Sequence, residues 1–210
     1  MVNNPSIDSL SRWKCGKPIS LTMLDGCATY DPTFLLTEYA DQVLKQALES
    51  IAWETRSIQL YGRTIAIPRL SAWFSESGSS YTYSGTTHVA KPMPTFVCDL
   101  KNLIELATNC SFNSVLVNLY RDGSDSVSWH ADNEFELGPN ITIASLSVGA
   151  VRDLRFKHRQ VKEEQFSLQV EHGSLLMMYP PTQENWLHEL PKRRQVTQPR
   201  VNFSFRKILR

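Results

Sequence analysis

A mainly β fold with two flanking helices (α+β), its strands closing into a sandwich or jelly roll, is what this sequence predicts. Three observations carry that expectation. From Ser114 onward, short segments alternate apolar and polar residues and are separated by turn signals. Ahead of them lie two stretches whose apolar residues recur at helical spacing. The chain has 210 residues, 41% hydrophobic and 20% charged, which suits one soluble domain with a sizeable core.

The elements follow in order. Residues 1 to about 30 have little periodicity and predict an irregular arm. DPTFLLTEYADQVLKQALESI, residues 31–51, predicts the first helix, with Asp31 as its cap and Pro32 in its first turn. Leu36, Tyr39, Ala40, Val43, Leu44, Ala47, Leu48 and Ile51 form its apolar stripe. RSIQLYGRTIAIPR, 56–69, reads as a hairpin with Gly62 in the turn, and SAWFSESGSSYTYSGTT, 71–87, as a loop with short strand pieces. MPTFVCDLKNLIELATNC, 93–110, predicts a second helix with Val97, Leu100, Leu103, Ile104 and Ala107 facing the core. The expected strands are SVLVNLYRDG, ITIASLSVGA, RDLRFKHR, QFSLQVEHG, SLLMMYP and RVNFSFRKIL.

Composition excludes several classes. No apolar run approaches the roughly 20 residues needed to span a bilayer, and the N-terminus lacks the apolar centre of an export signal. Cys15, Cys27, Cys98 and Cys110 match no paired-cysteine metal or redox spacing, so reduced thiols in the cytosol are expected. The net charge is +1, yet more than half of the 22 Lys and Arg residues fall after position 150. A charge run is usually a solvated face and argues only weakly for a polyanionic partner.

The chemistry-bearing residues cluster late. His130 and Asp132 stand one residue apart in SWHADNE, and His188 follows in NWLHEL. Two histidines and one carboxylate in this order are the ligand set of a non-haem iron(II) oxygenase, which holds one face of the metal and leaves the others open. His158 and His172 lie in a basic run and a turn and are expected to be solvated. On the last strand Arg200, Asn202, Ser204 and Arg206 share one face, because side chains alternate. Asn118 and Tyr120 share a face of an earlier strand with Leu116. Guanidinium groups pair with carboxylates through two-pronged hydrogen bonds, so the arginines suit a dianionic co-substrate such as 2-oxoglutarate. Six residues of straight strand span about 20 Å at ~3.3 Å each. That exceeds the length of 2-oxoglutarate, so Arg200 is the better candidate for the distal carboxylate and Arg206 the weaker.

From Asn118 to Leu209 the chain resembles the AlkB family of iron(II)- and 2-oxoglutarate-dependent nucleic-acid dealkylases. NLYRDG, WHADNEFELG, IASLSVGAVRDLRFKH, HGSLLMMYPPTQENWLHELP and PRVNFSFRKIL are similar to that family's segments and in its order. The subgroup most like it contains the human double-strand-acting repair homologue. Looser similarity reaches back to about Trp53 through PRLSAWF and YTYSG. The resemblance implies a double-stranded β-helix (jelly-roll) core with the N-terminal helices packed on one side. It divides one structural domain into the arm 1–30, a helical and substrate-recognition region 31–113, and a catalytic core 114–210.

The resemblance further implies His130, Asp132 and His188 as iron(II) ligands, and Asn118, Tyr120, Arg200, Asn202, Ser204 and Arg206 around 2-oxoglutarate. Tyr81 and Tyr83 match positions that flank a flipped base, and Tyr61 matches a hairpin wedge. Arg69, Asn133 and Glu134 are implied beside the substrate. Asn133 departs from the acidic residue of the human double-strand-acting homologue, with Glu134 keeping the next acid, and Ser204 stands where a threonine is common. The implied reaction consumes O₂ and releases succinate, CO₂ and formaldehyde from N-methylated bases such as 1-methyladenine and 3-methylcytosine in DNA, with RNA left open. A base must leave the duplex to reach such a site. The expected partner is alkylated DNA, with no membrane, for a monomer in the cytoplasm, or in the nucleus of a eukaryote. Two other readings stay open: a hydroxylase of the same chemistry acting on a protein or small molecule, and a non-catalytic nucleic-acid-binding jelly roll.

Overall fold

The computed structural model describes residues 16–60, 63–76, 80–83 and 86–209, with the backbone alone at 58–60, 63–64, 80–83 and 86–89. The strands are β1 (Ile19–Leu21), β2 (Cys27–Asp31), β3 (Glu54–Leu60), β4 (Arg63–Ser75), β5 (Ser80–Tyr83), β6 (Thr86–Val89), β7 (Ser114–Tyr120), β8 (Val127–His130), β9 (Ile143–Gly149), β10 (Arg152–His158), β11 (Gln165–Val170), β12 (Ser174–Tyr179), β13 (Trp186–Leu190) and β14 (Arg200–Arg206). The helices are α1 (Thr37–Ser50), α2 (Thr95–Thr108) and the single turn α3 (Thr182–Asn185). Eight strands make the larger sheet in the order β1-β2-β12-β9-β14-β7-β4-β3, and four make the smaller, β11-β10-β13-β8; β5 and β6 pair as a separate hairpin.

Alternation along the strands builds a three-layer molecule. One face of the larger sheet carries Val115, Val117, Ala144, Leu146, Val201, Phe203 and Phe205, packed against Ala40, Val43 and Ala47 of α1 and Val97, Leu100 and Ile104 of α2. Emptying such a site, as in Phe203→Ala, costs about 3–5 kcal/mol. The other face meets the smaller sheet, where Tyr120, Ile143, Leu176 and Met178 join Leu154, Phe156, Trp186 and Leu190 in a second core. The helices therefore cover one side of a jelly roll whose two sheets enclose the rest, as the strand pattern and the resemblance predict.

The differences are local and have physical reasons. The segment expected to be an irregular arm contains β1 and β2, and β2 pairs antiparallel with β12 through Tyr30↔Leu176. CATYD is short, so its alternation is weak, but Ala28 and Tyr30 are buried. The first helix begins at Thr37 rather than Asp31. Asp31 ends β2, and its Oδ1 accepts the N–H of Thr33, closing a turn that competes with helix. Phe34 and Leu35 are buried outside the helix, with the Leu35 N–H donated to Gly173. Leu48, placed on the apolar stripe, is exposed. The second helix runs inside its expected span, from behind Pro94 to Asn109, whose left-handed conformation (φ 55) ends it. The aromatic stretch expected as a loop with short strand pieces contains such pieces in β5, paired with β6, and also the end of β4, which runs on to Ser75. The hairpin turn at 61–62 lies outside the described residues, between Leu60 and Arg63, which pair. His158 is buried rather than solvated, and its Nδ1 accepts N–H groups from Gln160 and Val161. His172 is half-buried, with Nδ1 accepting from Gly149. Cys27, Cys98 and Cys110 are free thiols, and Cys15 lies outside the described residues.

Candidate active site

The site lies between the two sheets, in a cavity of about 260 Å³. Its back wall is the inner face of the larger sheet. Register sets Arg200 opposite Tyr120, Asn202 opposite Asn118 and Ser147, and Ser204 opposite Leu116 and Ser145, so one polar face is assembled from β14, β7 and β9. Asn118, Tyr120, Arg200, Asn202, Ser204 and Arg206 all line the cavity. So do Arg69, Asn133 and Glu134.

Buried polar groups need partners, and here they hold one another. Arg200 Nη2 donates to Ser147 Oγ at 2.8 Å, Asn202 Nδ2 to Ser145 Oγ at 2.8 Å, and Ser204 Oγ to Asn202 Oδ1 at 3.0 Å. Arg69 Nε donates to Asn118 Oδ1 at 3.0 Å. Arg200 is distinctive. It is 3% exposed, its guanidinium carbon lies 5.3 Å from the Tyr120 ring centre, and its Nε has no hydrogen-bond partner. Among the described residues no carboxylate pairs with it. Burial pulls its pKa down to about 10. A buried cation with an unused donor fits an incoming carboxylate.

The opposite wall comes from the smaller sheet. His188 on β13 pairs in register with His130 at the end of β8. Their rings are 4.2 Å apart, and His188 Nε2 lies 3.7 Å from Asp132 Oδ2. One ligand atom from each of His130, Asp132 and His188 falls within 4.8 Å of the others. The N–H at Nδ1 of His130 donates to Ser128 O at 2.8 Å, which leaves Nε2 as the free lone pair. Burial, then the neighbouring His130, drives the pKa of His188 down to about 3, so it is neutral and competent as a ligand. Burial would raise the Asp132 pKa. Arg206, His188 and His130 outweigh it and hold the carboxyl below its usual range. This donor set fits a divalent transition metal with open positions.

The strand Arg200–Arg206 spans the site lengthwise. Arg200 sits at the Tyr120 end, while Arg206 Nη2 donates to Asp132 Oδ1 and its Nη1 lies 3.5 Å from Glu134. The arginines therefore reach opposite ends of the cavity, as the ~20 Å length of the strand dictates. Tyr81 and Tyr83 lie on β5, and nothing further is described of their side chains; Tyr61 lies outside the described residues.

Sequence reading missed other lining residues, among them Arg56, Ser71, Trp73, Ser145 and Met178. Ser145 could have been found, because ITIASLSVGA places Ser145 and Ser147 on one face at strand spacing. Nothing local marks Trp73, whose Nε1 donates to Ser114 Oγ at 2.8 Å. The two loops that feed the site are clamped at Gly123, whose N–H donates to Val196 O at 2.7 Å and whose carbonyl accepts from Arg193. A Cβ at Gly123 would lie 1.7 Å from Arg193 O, so only glycine fits.

Comparison with known proteins agrees with this geometry. Residues 27–206 match the family described as the 2OG-Fe(II) oxygenase superfamily. The mouse protein named DNA oxidative demethylase ALKBH2 (Mus musculus) is 39% identical over 201 residues, covering 92% of this chain and 81% of that protein. The human protein of the same name (Homo sapiens) is 38% identical, covering 92% and 74%. Mouse alpha-ketoglutarate-dependent dioxygenase alkB homolog 3 is 38% identical over 187 residues, covering 84% of this chain and 64% of its own. The solved structure of OsALKBH1 superposes with a TM-score of 0.64 over 90% of this chain and 100% of its own, at 13% identity, a likeness of fold. A His-Asp-His cluster, a buried arginine across the cavity and relatives of this extent place the chain in the AlkB family of the 2OG-Fe(II) oxygenase superfamily.

Proposed function

We propose that this protein is an oxidative demethylase of N-methylated bases in DNA, 1-methyladenine and 3-methylcytosine among them. The observation that carries the reading is the His130-Asp132-His188 cluster opening into the cavity whose far end holds the unpartnered Nε of buried Arg200. The relatives named DNA oxidative demethylase supply the substrate class.

His130, Asp132 and His188 would hold iron(II). Bound there with 2-oxoglutarate and O₂, it would supply the oxidising power for hydroxylation of an N-methyl carbon, a reaction whose products are formaldehyde, succinate and CO₂. Arg200 would take the distal carboxylate of 2-oxoglutarate, in the cavity that Asn118, Tyr120, Asn202 and Ser204 also line. Arg206 keeps the Asp132 carboxylate ionised and oriented. The apolar walls at Leu154, Met178 and Leu190 keep water from the reacting centre. Arg69, Asn133 and Glu134 line the cavity that would take the base, and the family resemblance assigns Tyr81 and Tyr83 to flank that base and Tyr61 to fill the gap it leaves in the duplex. The division into a recognition region, 31–113, and a catalytic core, 114–210, follows from these roles. The protein acts as a monomer in the nucleus or cytoplasm, and among the described residues no helix is long and apolar enough to cross a membrane.

The test is to incubate the protein with iron(II), 2-oxoglutarate and single- and double-stranded DNA and RNA oligonucleotides carrying methylated bases, and to follow methyl loss by mass spectrometry. Methyl loss from DNA that disappears in Asp132→Ala is expected. Decarboxylation of 2-oxoglutarate with no methyl loss on any strand would shift the reading to a protein or small-molecule hydroxylase. No decarboxylation at all would favour a non-catalytic binding module.

A further inference from the structure

We propose that Gln183 is a positioning residue for the metal ligand Asp132, an inference that rests on the iron reading above. Asp132 lies between β8 and the short 3-10 turn Phe135–Leu137, in a segment with no strand partner of its own. Its carboxylate is held from the side by Arg206 and faces His188. Its backbone is held by Gln183, whose Oε1 accepts the Asp132 N–H at 2.9 Å.

The placement of Gln183 makes this contact a link between ligands. It belongs to α3, which leads directly into β13, where His188 follows five residues later. The turn is itself anchored: Thr182 Oγ1 accepts the Cys27 N–H and donates to Cys27 O, both at 2.9 Å, and Trp186 Nε1 donates to Leu24 O at 2.8 Å. Gln183 thus ties the loop carrying Asp132 to the segment carrying His188.

The chemistry at Gln183 points the same way. It is 2% exposed, and among the described residues its amide nitrogen meets only the thioether sulfur of Met178, at 3.4 Å. A thioether is a weak acceptor, and burying an amide with half its capacity poorly used is unfavourable. Packing alone would be served better by Met or Leu. What the glutamine supplies that they lack is the acceptor for Asp132.

The test compares wild type, Gln183→Met, which keeps the volume and removes the acceptor, and Gln183→Glu, which keeps the acceptor. Each metal-free full-length protein is titrated with Mn(II), and free Mn(II) is read by electron paramagnetic resonance. Thermal unfolding of the metal-free proteins is recorded alongside. Loss of an outer-shell partner typically weakens metal binding about 10- to 100-fold. Gln183→Met is expected to fall in that range, and Gln183→Glu to stay within about threefold of wild type, on the scale of less than one tenfold step. A Gln183→Met protein that unfolds earlier but binds Mn(II) as wild type does would show a packing role and overturn the proposal. So would equal losses in Met and Glu variants. A second measurement needs no variant: the Asp132 amide proton of the wild-type protein should be protected from hydrogen exchange, and exchange at the rate of an exposed loop overturns the proposal. Wild-type protein that binds no Mn(II), or His130→Ala that binds it equally well, would instead remove the iron reading itself.

Discussion

Replacing Arg200 tests the co-substrate site and separates function from stability. Its guanidinium is 3% exposed, bonded to a serine hydroxyl and stacked near Tyr120, with no carboxylate partner among the described residues. Its pKa falls from 12.5 to about 10 because of burial. The charged form is disfavoured in the folded protein, so the penalty is present in full at every pH below about 10. At about 1.36 kcal/mol per pKa unit it amounts to roughly 3 kcal/mol. A bound carboxylate offsets that penalty. Leaving the carboxylate of 2-oxoglutarate without its partner costs about 3–5 kcal/mol, so Arg200→Met should raise the KM for 2-oxoglutarate by about a hundredfold to several thousandfold. Arg200→Lys keeps the charge but loses the two-pronged geometry and should fall between. The same Met substitution removes an unpaired buried cation, so the ligand-free protein should be equally stable or gain about 1–3 kcal/mol, a rise of a few degrees in Tm. Initial rates of 2-oxoglutarate decarboxylation against its concentration, and thermal unfolding without it, read the two effects. An unchanged KM, or a Met variant several kcal/mol less stable, would refute the argument and make Arg200 a structural residue.

Three further outcomes are expected. Asp132→Ala should abolish succinate and formaldehyde release, since it removes the anionic ligand; wild-type rates would sink the metal assignment. The metal-free protein should lose stability as pH falls below about 6.5, because burial depresses the His188 pKa to about 3 and the unfolded chain then binds a proton that the folded chain resists. Urea unfolding between pH 8 and 5 checks this, and a flat profile would contradict it. Tyr81→Ala should cost about ten- to a hundredfold in kcat/KM on any strand type, given roughly 1–3 kcal/mol for stacking on a base. Tyr61→Ala should instead hurt duplex DNA far more than single strands, because a wedge matters only where a partner strand can re-pair; equal losses on both would leave Tyr61 as a turn aromatic.

The six strands expected between turn signals are all present, from β7 to β14: most alternate an apolar with a polar face, while β12 is apolar on both because it lies between the two cores. Two site strands were not expected. β8 is only four residues long, and its pairings with β13, His188↔His130 and Leu190↔Val127, are separated by a register shift. β13 reads Trp186, His188, Leu190 along its buried face, so its alternation is intact once the histidine counts as an inward residue. Counting histidine as polar hid it. His158 was misjudged for the related reason that its neighbours are charged. Those neighbours alternate outward, while the ring turns inward beside Trp186.

The sequence by itself held the residue types and order that suggest the site's chemistry, because metal and carboxylate recognition depend on them: His130, Asp132, His188 and Arg200 are legible through spacing, strand parity and the family resemblance. It also determined which face of β14 is polar, since alternation is a local property of the extended chain. Only the tertiary structure decided how these parts meet. The pairing of β13 with β8 brings two histidines 58 residues apart in sequence into register. The sandwich sends Arg206 to Asp132 and leaves Arg200 at the far end. The placement of α3 delivers Gln183 to a backbone N–H 51 residues away. Such contacts join segments with no local relation, and they form because burying two apolar faces against each other fixes which polar groups end up between them.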